Sequence, residues 1–104
     1  MDRSFCEKVY AAVRQIPPGK VMTYQDVAKL AGSPKAFRAV GTAMRNNPNL
    51  KITPCHRVVG SDGKMHGYSA KGGIISKIQI LKKEGVVFAG NKVELNVSRW
   101  KELL

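Results

Sequence analysis

Apolar positions recur every three or four residues between Ser4 and Gln15, with Phe5, Val9, Ala12 and Val13 on one face. That period predicts an amphipathic helix. The run Ile16-Pro17-Pro18-Gly19-Lys20 ends it, because proline cannot continue a helix and disfavours helical geometry in the residue before it. Val21-Met22 reads as a short extended piece. Thr23 is then placed as the N-cap of a helix from Tyr24 to Leu30 that Ala31-Gly32 closes. Ser33-Pro34 gives a second start signal, a cap followed by proline, for a helix reaching about Arg45 and stopping before Asn46-Asn47-Pro48. After a turn at Ser61-Asp62-Gly63-Lys64 and a glycine-rich stretch, a helix is predicted from Gly73 to Glu84, with Ile74, Ile75, Ile78 and Leu81 inward and Gly85 as its stop. Val86-Val87-Phe88 and Val93-Glu94-Leu95 suggest a small hairpin around Gly90-Asn91, and Ser98 to Leu104 a short closing helix that buries Trp100. The pattern describes a mainly α protein with short β elements, expected to form one domain over residues 1–104.

Charge changes the picture. The chain carries 18 Lys+Arg against 7 Asp+Glu, a net charge of +11, which points to a polyanionic partner. The two short helices on either side of Gly32 have the outline of a helix-turn-helix. The second carries Lys35, Arg38 and Arg45, interleaved with Ala36, Ala39, Gly41, Thr42 and Ala43. Small residues allow close approach and the cations suit phosphate, although each could equally be a solvated charge or a packing contact with the first helix. Taken with the overall charge, the combination favours DNA. No apolar run approaches the ~20 residues of a membrane span, and no signal-peptide core follows Met1. An intracellular location is therefore expected, with Cys6 and Cys55 as reduced thiols.

The run Pro54-Cys55-His56-Arg57-Val58-Val59 introduces chemistry. A cysteine reacts as its thiolate, and an adjacent base can generate it. Cys6, Cys55, His56 and His66 could be imagined as a zinc set, but adjacent Cys55 and His56 lack the usual ligand spacing, so no metal or cofactor is expected.

Several motifs now stand in one order: Ile16-Pro17 with Gly19-Lys20-Val21, Thr23-Tyr24, Ala36 through Gly41 around Arg38, Asn47-Pro48, Pro54 to Val59, Gly67-Tyr68-Ser69 and Glu84-Gly85. Together they resemble the C-terminal, active-site domain of the O6-alkylguanine-DNA alkyltransferases. The resemblance implies a winged helix-turn-helix-like domain that acts as a monomer, binds duplex DNA through the minor groove, flips the damaged guanine out and transfers its alkyl group to cysteine in a single turnover. It implies Cys55 as acceptor, His56 as its base through a water, and Glu84 as orienter of the imidazole. Arg38 would fill the hole left by the flipped base, with Lys35 and Arg45 beside it on the DNA. Tyr24 would contact the guanine and help rotate the phosphate, and Asn47 would tie the helix end to the active-site segment. Met44, Tyr68, Ser69 and the backbone of Cys55 and Val58 would form the substrate pocket. A cytoplasmic location, or a nuclear one in a eukaryote, is implied.

The chain departs from the family pattern in two places. The additional N-terminal domain that most relatives carry is expected to be absent. The loop Tyr68-Ser69-Ala70-Lys71-Gly72-Gly73 is longer than the usual Tyr-Ser-Gly-Gly, so the pocket rim is expected to differ. Two other functions fit parts of the sequence. A non-enzymatic alkyltransferase-like damage sensor shares the scaffold but typically carries tryptophan where Cys55 stands. A plain helix-turn-helix regulator would leave Cys55, His56 and Glu84 without a shared purpose.

Overall fold

A computed structural model describes residues 3–47, 52–65 and 73–101. It contains α1 (Arg3–Arg14), β1 (Met22–Thr23), α2 (Tyr24–Leu30) and α3 (Phe37–Arg45), then a 3-10 turn (Cys55–Arg57), β2 (Val58–Val59) and α4 (Gly73–Lys83). A hairpin of β3 (Phe88–Ala89) and β4 (Lys92–Val93) and the short helix α5 (Leu95–Ser98) follow. The fold is mainly helical with two small sheets, as expected.

The apolar stripe of α1 packs with α2 and α3 into one core that includes Val9, Val13, Val27, Val40 and Met44 and extends to Cys55 and Val58. A second cluster joins Val21 and Val59 to Leu81, Val86 and Val93, and so fastens α4 and the hairpin to the rest. Between them β1 and β2 pair in parallel, Met22 opposite Val58 and Thr23 opposite Val59. A parallel pair needs a long crossover, and here the crossover is the α2–α3 unit itself. Thr23 therefore does two jobs. It pairs with the strand that follows the Cys-His motif, and it caps α2 in a capping box with Asp26.

Four expectations are corrected. Ser33-Pro34 does not start α3, which begins at Phe37 with Ala36 as a cap that makes no side-chain bond. Ser33 to Ala36 instead form a turn, closed by the Ala36 N–H donating to the Ser33 carbonyl at 2.9 Å. Proline in the second position of a turn and proline at a helix start use the same backbone angle. Lys35 therefore lies in this turn and not on the helix. On α4 the buried stripe runs through Lys77 and Leu81, and Ile74 and Ile75 are exposed. At 100° per residue Ile75 faces about 200° from Lys77, so four isoleucine and leucine positions could not all turn inward. The hairpin strands are shorter than expected, two residues each around Gly90-Asn91. Finally, the helix near the C-terminus ends at Ser98, where one had been expected to begin. Residues 99–100 run extended beside Val21, whose N–H donates to the Ser98 carbonyl (2.9 Å) and whose carbonyl accepts from the Trp100 N–H (2.8 Å). Satisfying the backbone of buried Val21 outweighs local helix preference there.

Candidate active site

The site is assembled around the tight turn after Pro54. The Cys55 N–H donates to the Thr53 carbonyl at 2.8 Å, and the Arg57 N–H to the Pro54 carbonyl at 2.9 Å. Two helices hold the approach. Arg14 of α1 donates through Nε to Thr53 Oγ1 (3.1 Å), and Asn47, just past α3, donates through Nδ2 to the Thr53 carbonyl (2.7 Å). Cys55 is buried in the first core and is a free thiol, as is half-buried Cys6. Burial pushes the Cys55 thiol above its ordinary pKa, while a hydrogen bond with Asn47 and the charge of Lys77 pull it back down.

His56 faces the other way. Its Nε2 lies 3.1 Å from Glu84 Oε1, at the end of α4. Burial alone would raise the Glu84 carboxyl, but hydrogen bonds from Arg57 and His56 overcome it and hold the carboxyl below its ordinary range. An ionised carboxylate only accepts, so Nε2 must be the donor and Nδ1 remains the basic nitrogen. Burial also lowers the His56 pKa below its ordinary value, against the opposing pull of Glu84, so the imidazole is neutral near pH 7. Such an arrangement can accept a proton from a neighbouring thiol and stabilise the imidazolium that results.

Arg57 completes the cluster, and sequence reasoning gave it no role. Its guanidinium grips Glu84 with two bonds, Nε to Oε1 at 3.0 Å and Nη2 to Oε2 at 2.5 Å, and Nη1 donates to the Ile16 carbonyl at 2.9 Å. A bidentate fork fixes a carboxylate in position as well as in charge. The signal was present in the sequence, an arginine directly after the Cys-His pair, but nothing in the spacing reveals that it shares the histidine's carboxylate.

The helix-turn-helix lies next to this cluster. A concavity of about 500 Å³ is lined by Tyr24 and Gln25 of α2, by Phe37, Arg38 and Arg45 of α3, and by Gly60 and Ser61 after β2. Tyr24 links the two regions. Burial raises its phenol pKa, the nearby Cys55 thiolate would raise it further, and Arg45 opposes both. Arg38 and Arg45 are exposed in the same concavity, whereas Lys35 lies outside it. Met44 and Val58 are buried in the same core as Cys55. Tyr68 and Ser69 fall outside the described residues, as do Ala70 and Lys71 of the longer loop.

Comparison with known proteins decides the family. Residues 4–86 match the profile described as "6-O-methylguanine DNA methyltransferase, DNA binding domain". The chain belongs to this family. The match contains the Cys55-His56 turn, the helix-turn-helix and Glu84. The chain is 47% identical over 81 residues to a methylated-DNA–protein-cysteine methyltransferase of Methanosarcina acetivorans, covering 78% of the chain and 51% of that protein. It thus spans about half the length of the curated relatives it matches. Among solved structures it is similar to Mycobacterium tuberculosis OGT in complex with DNA, with a TM-score of 0.74 and 42% identity over 81% of the chain and 50% of that one. It is also similar to Schizosaccharomyces pombe Atl1 in complex with damaged DNA containing O6-carboxymethylguanine, with a TM-score of 0.82 and 33% identity over 97% of this chain and 98% of that one. Among the described residues no helix is long and apolar enough to cross a membrane.

Proposed function

We propose that the chain is the active-site domain of an alkyltransferase that repairs O6-alkylguanine in duplex DNA by moving the alkyl group onto Cys55. One observation carries this reading: the Cys55 thiol directly precedes a His56 paired with Glu84, and Tyr24, which feels the Cys55 charge, lines a concavity presenting Arg38 and Arg45. In the proposed reaction the Cys55 proton passes to His56 Nδ1 through a water, and Glu84 stabilises the imidazolium. The thiolate attacks the alkyl carbon, a sulfur–carbon bond forms, and the carbon–O6 bond breaks with its electron pair going to guanine. The thiol's proton ends on the guanine, which leaves intact. The product is a thioether, so each molecule acts once.

A buried thiol cannot reach an alkylated oxygen inside the base stack, so the guanine must be flipped out. Arg38, at the start of α3, fills the vacated stack from the minor groove, with Tyr24 against the guanine and its phosphate and Arg45 on the backbone. Lys35, in the turn before α3, contributes charge to the same DNA. Asn47 holds the thiol and Met44 and Val58 line the pocket, to which the family resemblance would add Tyr68 and Ser69. DNA binding and alkyl transfer are thus carried by a single domain.

A second reading has its own support. The similarity to Atl1 extends over nearly the full length of both chains, which suits a damage sensor that binds lesions without repairing them. A cysteine at position 55, beside His56, favours the enzyme. Incubation with duplex DNA containing one O6-methylguanine, followed by intact mass measurement, separates the two. A gain of one methyl mapped to Cys55, and lost in Cys55→Ala, is the expected result. Tight lesion binding with no gain in mass means a sensor.

A further inference from the structure

Lys77 has no part in the mechanism described so far, and it is among the largest fully buried side chains of the protein, 1% exposed. Lysine is almost never found there without a reason, because taking an ammonium out of water is costly. A methionine would fill much the same space without that penalty. The amine instead donates from Nζ to the Val58 carbonyl at 2.8 Å. Val58 directly follows the turn that carries Cys55 and His56, and α4 packs against that turn.

We propose that Lys77 is a positioning residue for the thiol chemistry, anchoring the Cys55–Arg57 turn to α4 through the Val58 carbonyl and placing a positive charge behind Cys55 that favours its thiolate. The proposal rests on the alkyl-transfer reading. Burial lowers the Lys77 pKa to about 8, while the Cys55 thiolate acts to raise it. Near neutral pH the amine therefore keeps most of its proton, so its charge is present when Cys55 passes its proton to His56 at that pH. The attraction is mutual, since Lys77 also acts to lower the Cys55 pKa. The other polar groups coupled to this pair are Asn47 just past α3, Tyr10 of α1 and Tyr24 of α2, all acting on or through Cys55, and His56, whose pKa the Lys77 charge lowers and on which Glu84 and Arg57 also act. Asn47 contributes a hydrogen bond and no charge, and the Arg57 charge is engaged by Glu84. Among the described residues, Lys77 is the cation acting directly on the thiol.

The test follows iodoacetamide alkylation of Cys55 against pH, from about 6 to about 10, in a Cys6→Ser background with intact mass as readout. Lys77→Met is expected to raise the apparent thiol pKa by about one unit, which slows alkylation near pH 7.5 by about tenfold. Lys77→Arg, which keeps the charge, is expected to stay closer to the parent. A Lys77→Met protein with native circular dichroism and an unshifted midpoint overturns the proposal. A second measurement leaves Lys77 in place. Nitrogen-detected NMR titration of its ammonium should give a lower midpoint in Cys55→Ser than in the parent, because the thiolate no longer holds the proton, and equal midpoints overturn the coupling. Methyl uptake from duplex O6-methylguanine is measured on the same proteins. If the parent takes up methyl and Lys77→Met keeps pace with it, this proposal fails and the alkyl-transfer reading survives. If the parent takes up none, that reading fails and the role of Lys77 in transfer falls with it.

Discussion

Glu84 serves two donors at once, His56 Nε2 and the Arg57 fork. The pairing keeps the carboxylate ionised and leaves His56 neutral with Nδ1 available. Under the alkyl-transfer reading, His56→Ala should slow methyl uptake by about a hundredfold, the lower end of what a positioned base contributes. Quenched-flow mass measurement on a single-lesion duplex checks it. The pH dependence has a definite sign. Burial depresses the His56 pKa from its ordinary 6.5, so the base stays neutral into mildly acid solution and the rate should fall only below that value. Glu84 acts to raise the His56 pKa. Glu84→Gln should therefore move the acid limb of the profile to still lower pH while reducing the rate on the plateau. A limb that moves upward would contradict the assignment. The Cys55-His56 adjacency was legible in the sequence, and Glu84 became so through the ordered family motifs. Lys77 was not legible, because helical periodicity treats lysine as a surface residue and its burial is decided by the Val58 carbonyl.

Helix α2 shows how a short element is held where the site needs it. Seven residues are too few for a stable isolated helix, and its ends are fixed by other means. Thr23 Oγ1 accepts from the Asp26 N–H and Asp26 Oδ2 from the Thr23 N–H, both at 3.1 Å. Arg99, from the C-terminal segment, closes a bidentate pair on the same carboxylate. Thr23→Ala should cost about 1 kcal/mol, a drop in Tm of about 4–8 °C for a domain of this size, measurable by circular dichroism. Burial alone would raise the Asp26 carboxyl, but Arg99 and the cap hold it below its ordinary 3.8. Its stabilising contribution is therefore complete above that value and is lost as pH falls through the lower folded value. Asp26→Asn should lower Tm at pH 6 and flatten its acid dependence below about pH 4. Thr23 was legible as the cap in the sequence, whereas its reciprocal partner Asp26 emerges only in the structure. The Arg99 contact joins residues 73 apart in sequence, and local pattern carries no trace of it. The start of α3 was missed for a related reason, since Ser33-Pro34 suits a turn as well as a helix and only packing chooses between them.

At the scale of the molecule, the parallel pairing of β1 with β2 makes one rigid unit of the thiol turn and the helix that precedes α3. Under the alkyl-transfer reading, a DNA strand gripped in the concavity would be held at a fixed offset from Cys55, which is what a reaction on an extruded base requires. Charge would bring the strand there. A net charge of +11 on 104 residues predicts duplex affinity that falls steeply with salt. Arg45, exposed on α3 and proposed to contact the DNA backbone, should account for about one counterion, so Arg45→Ala should reduce the slope of log K against log salt by about one. Arg38 is assigned a different task, filling the stack, and its loss should have a different signature. Arg38→Ala should slow methyl uptake from duplex DNA while leaving uptake from free O6-methylguanine base unchanged, because a free base needs no flipping. Measuring both substrates by intact mass separates the tasks. Equal slowing on duplex and free base would mean that Arg38 supports the thiol site itself and that base extrusion is driven from elsewhere on the concavity.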